Sequence, residues 1–147
     1  MRVSVVIAAY NAEAYIAEAI ESVLDQTIRP DEVIVVDDGS RDGTRDVLDR
    51  FNDRIVALTQ SNSGQAVAVN NGLAIARGEL IGFCDADDLW TKRKLETQLA
   101  LLEREGGVDA VFEHHCFEQV TRGDRVLSEG FRRGVRHALS YTCSNFS

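Results

Sequence analysis

The sequence predicts an α/β fold on a mostly parallel sheet, and three observations carry that prediction. Short apolar runs rich in Val and Ile recur along the chain. Stretches with apolar residues at helical spacing separate them. Two of the runs end in clustered aspartates. Strands that alternate with helices imply parallel pairing through right-handed crossovers.

Arg2–Ala9 is nearly continuous in Val, Ile and Ala, as suits a central strand covered on both faces. Asn11 is the expected N-cap of a helix over Ala12–Asp25, whose Ile16, Ile20, Val23 and Leu24 step by three and four. Gln26–Pro30 breaks that helix. Asp31–Val36 is a second buried strand, running into Asp37-Asp38-Gly39-Ser40, and a helix then extends to about Phe51. Ile55–Thr59 is a third strand. Gln65–Ala76 is a helix with Ala66, Val69, Leu73 and Ala76 on one face, stopped at Arg77-Gly78. Glu79–Cys84 reads as a buried fourth strand, and Leu89–Leu102 as the helix after it. The expected sheet order is 3-2-1-4, which brings both acidic strand ends to one rim.

Later, Val108–Phe112, His114–Val120 and Arg125–Leu127 have strand character. His114 and His115 are adjacent, so on a strand they point to opposite faces and read as ordinary strand residues.

A length of 147 residues points to a single domain, 1–147. The net charge of −8 argues against binding nucleic acid through its phosphates. Three Arg and no acid follow Phe131, a solvated end or a contact for a membrane surface. Cys84, Cys116 and Cys143 form no C-x-x-C pair, which suits a reducing cytoplasm without a zinc site or disulfide framework. Neither a signal peptide nor a membrane span is read, so the expected location is cytoplasmic.

The chemistry concentrates in Phe83-Cys84-Asp85-Ala86-Asp87-Asp88-Leu89-Trp90. Three carboxylates in four residues follow a strand there. Open α/β sheets bind ligands at the carboxyl ends of their strands, and hard divalent cations prefer oxygen ligands. Asp37-Asp38 would share that rim. Two such clusters repel unless a cation or a donor group separates them. The plainer alternative for either cluster is a turn that caps the next helix.

Val3–Asn11, Val33–Thr44 and Arg77–Trp90, in this order and spacing, resemble the donor-binding half of a family-two glycosyltransferase with the GT-A fold. The likeness runs from about Arg2 to Leu102. It implies a Rossmann-like three-layer α/β/α sandwich with a donor-binding half over about 1–104. An incomplete acceptor half would occupy about 105–147, with its C-terminal part truncated.

By the same resemblance, Ala8, Ala9 and Tyr10 form a nucleotide-base slot. Asp38 accepts a hydrogen bond from a base imide, and Asp37 supports that strand end. Asp85-Ala86-Asp87 matches the D-x-D motif. Asp87 would ligate Mn²⁺ or Mg²⁺, while Asp85 would hold the ribose or a metal-bound water. Asp88 is a helix cap or a support for the cluster, and Trp90 either lines the sugar pocket or anchors packing. Gln65 and Asn70 are polar contacts at the rim, or else they cap the helix or face solvent. Family members often carry Pro where Ala8 stands, and many carry Arg where Val69 stands.

The implied reaction is metal-dependent transfer of a sugar from a nucleotide-diphospho-sugar, a UDP-sugar by preference, to a hydroxyl of a glycan or lipid-linked acceptor. The implied stereochemistry is inversion, and the implied setting is peripheral association with the inner membrane face. No general base is identifiable. A catalytically incomplete nucleotide-sugar-binding fragment, or a domain that works with a second subunit such as another copy, is the alternative. A nucleotidyltransferase or dinucleotide oxidoreductase would need a Gly-rich loop after the first strand, and Val3–Asn11 contains no Gly.

Overall fold

The computed structural model describes residues 1–105; the expected strands beyond Val108, His114, His115, Cys116, Cys143 and the basic terminus lie outside them. The elements run β1 (Val3–Ala9), α1 (Ile16–Leu24), β2 (Glu32–Asp37), α2 (Thr44–Asp49), β3 (Val56–Thr59), α3 (Gln65–Ile75), β4 (Leu80–Asp85) and α4 (Lys94–Glu105). Two compact units divide the chain, Met1–Glu96 and Thr97–Ser147. The sheet belongs to the first. Of the second, the described part is the continuation of α4.

The sheet is four-stranded and parallel in the expected order, β3-β2-β1-β4. β1 lies inside it, with Ala8 opposite both Val36 and Asp85. Alternation along β1 sends Val6 and Ala8 to one face and Val5, Ile7 and Ala9 to the other. On the first face Val6, Ile34, Val36 and Ala68 of α3 form a buried cluster, flanked by Leu58, Leu73, Ala76 and Ile81. The chain steps from β1 to β2 to β3 in one direction and returns across the sheet to β4. Right-handed crossovers therefore place α1 and α2 in one layer and α3 in the opposite one, and α1 and α2 contact each other. α1 buries Ile16, Ala19, Ile20 and Val23. Each fully buried Val or Ile contributes about 1.5–3 kcal/mol, so β1 and its neighbours hold much of the fold. Among the described residues no helix is long and apolar enough to cross a membrane.

Several expectations need correction. Asn11 is not a helix cap. It sits in the left-handed region at φ 49°, which Asn tolerates better than most residues. A turn from Ala12 to Tyr15 separates it from α1. The face of α3 that packs down is Ala68 and Gly72, with Leu73 and Ala76 half-buried, while Ala66 is exposed. Gly72 carries no hydrophobic signal, yet it allows the approach, because a Cβ there would stand 2.6 Å from Val6 Cγ1. β4 is buried only at Cys84. Among the described strands it pairs with β1 alone, and Phe83 is 42% exposed. α4 begins at Lys94, not Leu89, so Asp88 does not cap it.

The segment before α4 is held by a residue that reads only as a helix breaker. Gln26 is buried. Its Nε2 donates to the carbonyls of Ser22 at 3.0 Å and Thr91 at 2.7 Å, and its Oε1 accepts from the Leu95 N–H at 3.0 Å. One amide side chain therefore docks residues 91–95 against the end of α1.

Two substitutions test this packing by urea denaturation. Gly72→Val inserts bulk against Val6 and Val36 and should destabilise the chain by about 3 kcal/mol, the upper part of the overpacking range. Gln26→Leu leaves the Leu95 N–H and the Ser22 carbonyl unpaired and should cost about 1–3 kcal/mol.

Candidate functional site

A cavity of about 530 Å³ opens at the carboxyl end of β1, within the ~300–1,000 Å³ typical of ligand pockets. β1 pairs with β2 on one side and β4 on the other, and the crossovers diverge from it. That divergence leaves a crevice beyond the strand ends. Ala8 and Ala9 line it from β1, Tyr10 from the turn just after it, and Asp38 from just past the end of β2. Asn62, Gly64 and Gln65 line it at the start of α3, and Asp85, Ala86 and Asp87 from the turn after β4. Ala8 and Ala9 are small where Val6 and Ile7 fill the core, so space remains at that end. Tyr10 is 47% exposed and offers a flat apolar face at the rim.

The neighbouring loops are laced through side chains. The Asn11 N–H donates to Ser40 Oγ at 2.9 Å, and Asn11 Oδ1 accepts from the Arg41 N–H at 2.8 Å. The Glu13 N–H donates to Asp42 Oδ2 at 3.1 Å, and Glu13 Oε2 accepts from the Gly43 N–H at 3.0 Å. The Ala12 N–H reaches Thr44 Oγ1 at 2.8 Å. The Thr44 hydroxyl donates to Asp42 Oδ1, and this bond is the main reason the Asp42 carboxyl lies below its usual value. These reciprocal bonds tie the turn carrying Tyr10 to the β2–α2 loop.

Asp38 is 3% exposed. Its Oδ1 accepts from Gln60 Nε2 and from the Ser63 N–H, each at 2.8 Å, and its Oδ2 accepts from the Gly64 N–H at 2.8 Å. Its own N–H continues the ladder to Ala9 O at 2.8 Å. Burial raises the Asp38 pKa, but the bonds from Ser63, Gln60 and Gly64 outweigh it, so the carboxyl sits below the ordinary value of 3.8. Asp37 faces away. Its Oδ1 accepts from the Ser40 N–H at 3.0 Å, and it does not line the cavity.

On the other side, Gln65 Nε2 donates to Asp85 Oδ1 at 3.0 Å, so the start of α3 is tied to the end of β4. The Asp88 N–H closes the turn onto Asp85 O at 3.1 Å. Cys84, just before, is buried, and its thiol pKa is pushed up by that burial and by the Asp88 and Asp85 charges. It is no nucleophile.

Trp90 is a packing anchor. A Cβ on Gly82 would meet its Cη2 at 2.9 Å, and Lys94 Nζ lies 5.3 Å from its ring centre. It does not line the cavity. Asn70 also lies outside the lining, about 7.5 Å along α3 from Gln65 by helical rise. Sequence reading missed Asn62, Tyr15, Asn11 and Ala12, which do line it. The small polar and aromatic residues of these turns carried no separable signal.

Asp85 and Asp87 suit Mn²⁺ or Mg²⁺ in ligand type. They are hard oxygen donors lining one cavity, next to space for a ligand. Among the described residues no group of three or more Asp, Glu, His or Cys could enclose a metal. A pair of carboxylates nonetheless fits an ion that takes its other ligands from substrate phosphates and water.

With strand ends, acidic clusters and cavity in place, the comparisons with known proteins give the class. The chain belongs to glycosyl transferase family 2, whose model matches residues 4–145. It is 47% identical over 104 residues to the putative teichuronic acid biosynthesis glycosyltransferase TuaG of Bacillus subtilis, covering 68% of this chain and 41% of TuaG. The crystal structure of S. aureus TarS in complex with UDP-GlcNAc superposes with TM-score 0.63 at 32% identity, over 71% of this chain and 32% of that one. The mannosyltransferase PcManGT from Pyrobaculum calidifontis, in complex with GDP-Man and Mn²⁺, gives TM-score 0.60 at 32% identity, over 69% of this chain and 32% of that one. The architecture is therefore the expected GT-A fold. The chain spans less than half the length of the curated relatives it matches.

The Asp38 geometry sets a pH test. A folded-state pKa below the unfolded one adds stability above the unfolded value, and that stability is lost as pH falls through the folded value. Urea midpoints of the wild type should therefore fall as pH drops from about 5 to below the unfolded value. Asp38→Asn sets an amide N–H₂ against the Ser63 or Gly64 N–H. It should be less stable at neutral pH by about 1–3 kcal/mol and show a shallower acid dependence.

Proposed function

We propose that the cavity at the end of β1 binds a nucleotide-diphospho-sugar, a UDP-sugar by preference, and that the sugar passes to a hydroxyl of a glycan or lipid-linked acceptor. The observation that carries this is the placement of Asp38 and of Asp85–Asp87 on opposite sides of β1, around one cavity. The UDP-GlcNAc and GDP-Man complexes of the two structural relatives support the donor class.

In this reading Ala8 and Ala9 floor the base slot, Tyr10 stacks on the base, and Asp38 accepts its N–H. Asp87 would hold the divalent ion, and Asp85, oriented by Gln65, would hold the ribose or assist in holding that ion. Mn²⁺ or Mg²⁺ bound there supplies Lewis-acid stabilisation of the charge that grows on the departing nucleoside diphosphate. Inversion requires the acceptor hydroxyl to attack the anomeric carbon opposite that leaving group, with a general base taking its proton. No described residue is assigned that task.

Calorimetric titration of UDP with and without Mn²⁺ tests the site. Wild type should bind UDP in a metal-dependent way. Asp87→Ala should lose at least about tenfold in affinity, the scale of one charge-assisted contact. Metal-independent binding, or full affinity in Asp87→Ala, would remove Asp87 from the role of ligand.

A further inference from the structure

Two side chains near the base slot have no task in the donor-site reading. Gln60 is half-buried between β3 and α3. Its Nε2 donates to Asp38 Oδ1 at 2.8 Å, and its Oε1 accepts from Asn71 Nδ2 at 2.6 Å. Because the ionised Asp38 carboxylate only accepts, the Gln60 nitrogen must face it, and the Gln60 oxygen faces Asn71, whose Nδ2 holds the amide in that orientation. The Gln60 backbone is fixed as well. Its N–H donates to Asp37 O at 2.9 Å, and its carbonyl lies 3.1 Å from where a Cβ on Gly39 would stand.

A carboxylate offers about four acceptor positions. Gln60 and the Ser63 N–H take Oδ1, and the Gly64 N–H takes one side of Oδ2. One acceptor position remains, on Oδ2.

We propose that Gln60, oriented by Asn71, is a positioning residue for base recognition: it occupies Oδ1 and fixes the Asp38 carboxylate so that one acceptor position meets one N–H of the base. The proposal rests on the donor-site reading and deepens it. A base with a single imide N–H, as in uracil or thymine, matches one remaining position. Guanine presents a ring N–H beside an amino group and pairs best with both oxygens of a carboxylate.

The test compares wild type, Gln60→Leu and Asn71→Asp, each checked for folding by circular dichroism. Asn71→Asp sets an acceptor against Gln60 Oε1 and removes the bond that holds the amide in place. Each protein is titrated, with Mn²⁺ present, with UDP, with 3-methyluridine diphosphate and with inorganic pyrophosphate. UDP affinity should fall about tenfold in both variants, and pyrophosphate affinity should hold. The wild-type preference for UDP over its 3-methyl analogue should shrink in both variants, a change that general loosening of the loop does not produce. Unchanged UDP affinity in the folded variants, or equal losses for UDP and pyrophosphate, overturns the positioning role alone. A wild type that binds pyrophosphate but not UDP overturns the base-reading role of Asp38 and the proposal with it. One that binds neither overturns the donor site as a whole.

Discussion

The site depends on one buried carboxylate. Removing the Asp38 charge from water is costly unless hydrogen bonds replace its hydration, and three donors from a single loop do so. That requirement draws residues 60–64 against the end of β2. Gly39, at φ 74°, meets the loop so closely that a Cβ would stand 2.8 Å from the Asn62 N. Gly64, at φ 92°, then turns the chain into α3. The wall of the cavity and the start of α3 are consequences of the same charge compensation.

Around that clasp, the strands give rigidity and the loops give chemistry. β1 is covered on both faces and bonded on both edges, so its carboxyl end is a fixed platform. What it presents there is small: Ala8 and Ala9 leave room where Val6 and Ile7 fill the core. The two acidic groups approach from opposite sides, Asp38 with its charge solvated by hydrogen bonds and Asp85 held by Gln65. In the proposed reading the Asp38 end meets the base, and the Asp85–Asp87 end meets the diphosphate through a cation.

Much of the fold was legible because burial leaves a periodic trace. The four strands and the helices between them follow from Val and Ile runs alternating with helical spacing, and the sheet has the order expected, 3-2-1-4. Predicted boundaries failed where other forces took over. Asn11 resembles a cap, but its side chain is spent on the Arg41 N–H, so α1 starts after a further turn. The packed face of α3 was misread because Gly72 buries by lacking a side chain. The exposure of β4 depends on its place at the edge of the described sheet, which local pattern does not reveal.

The sequence by itself determined the α/β class, the parallel pairing and the acidic strand ends that carry Asp38, Asp85 and Asp87, because these follow from chain-local periodicity and the handedness of crossovers. The strand order that brings those ends to one rim is a tertiary outcome. Tertiary structure decided the rest. It turned Asp37 away from the cavity, left Asn70 outside it, seated Trp90 over Gly82, and gave Gln26 and Gln60 partners far along the chain. Those outcomes depend on hydrogen-bond geometry between segments distant in sequence. An amide side chain looks the same in sequence whether it faces solvent or satisfies a buried carboxylate.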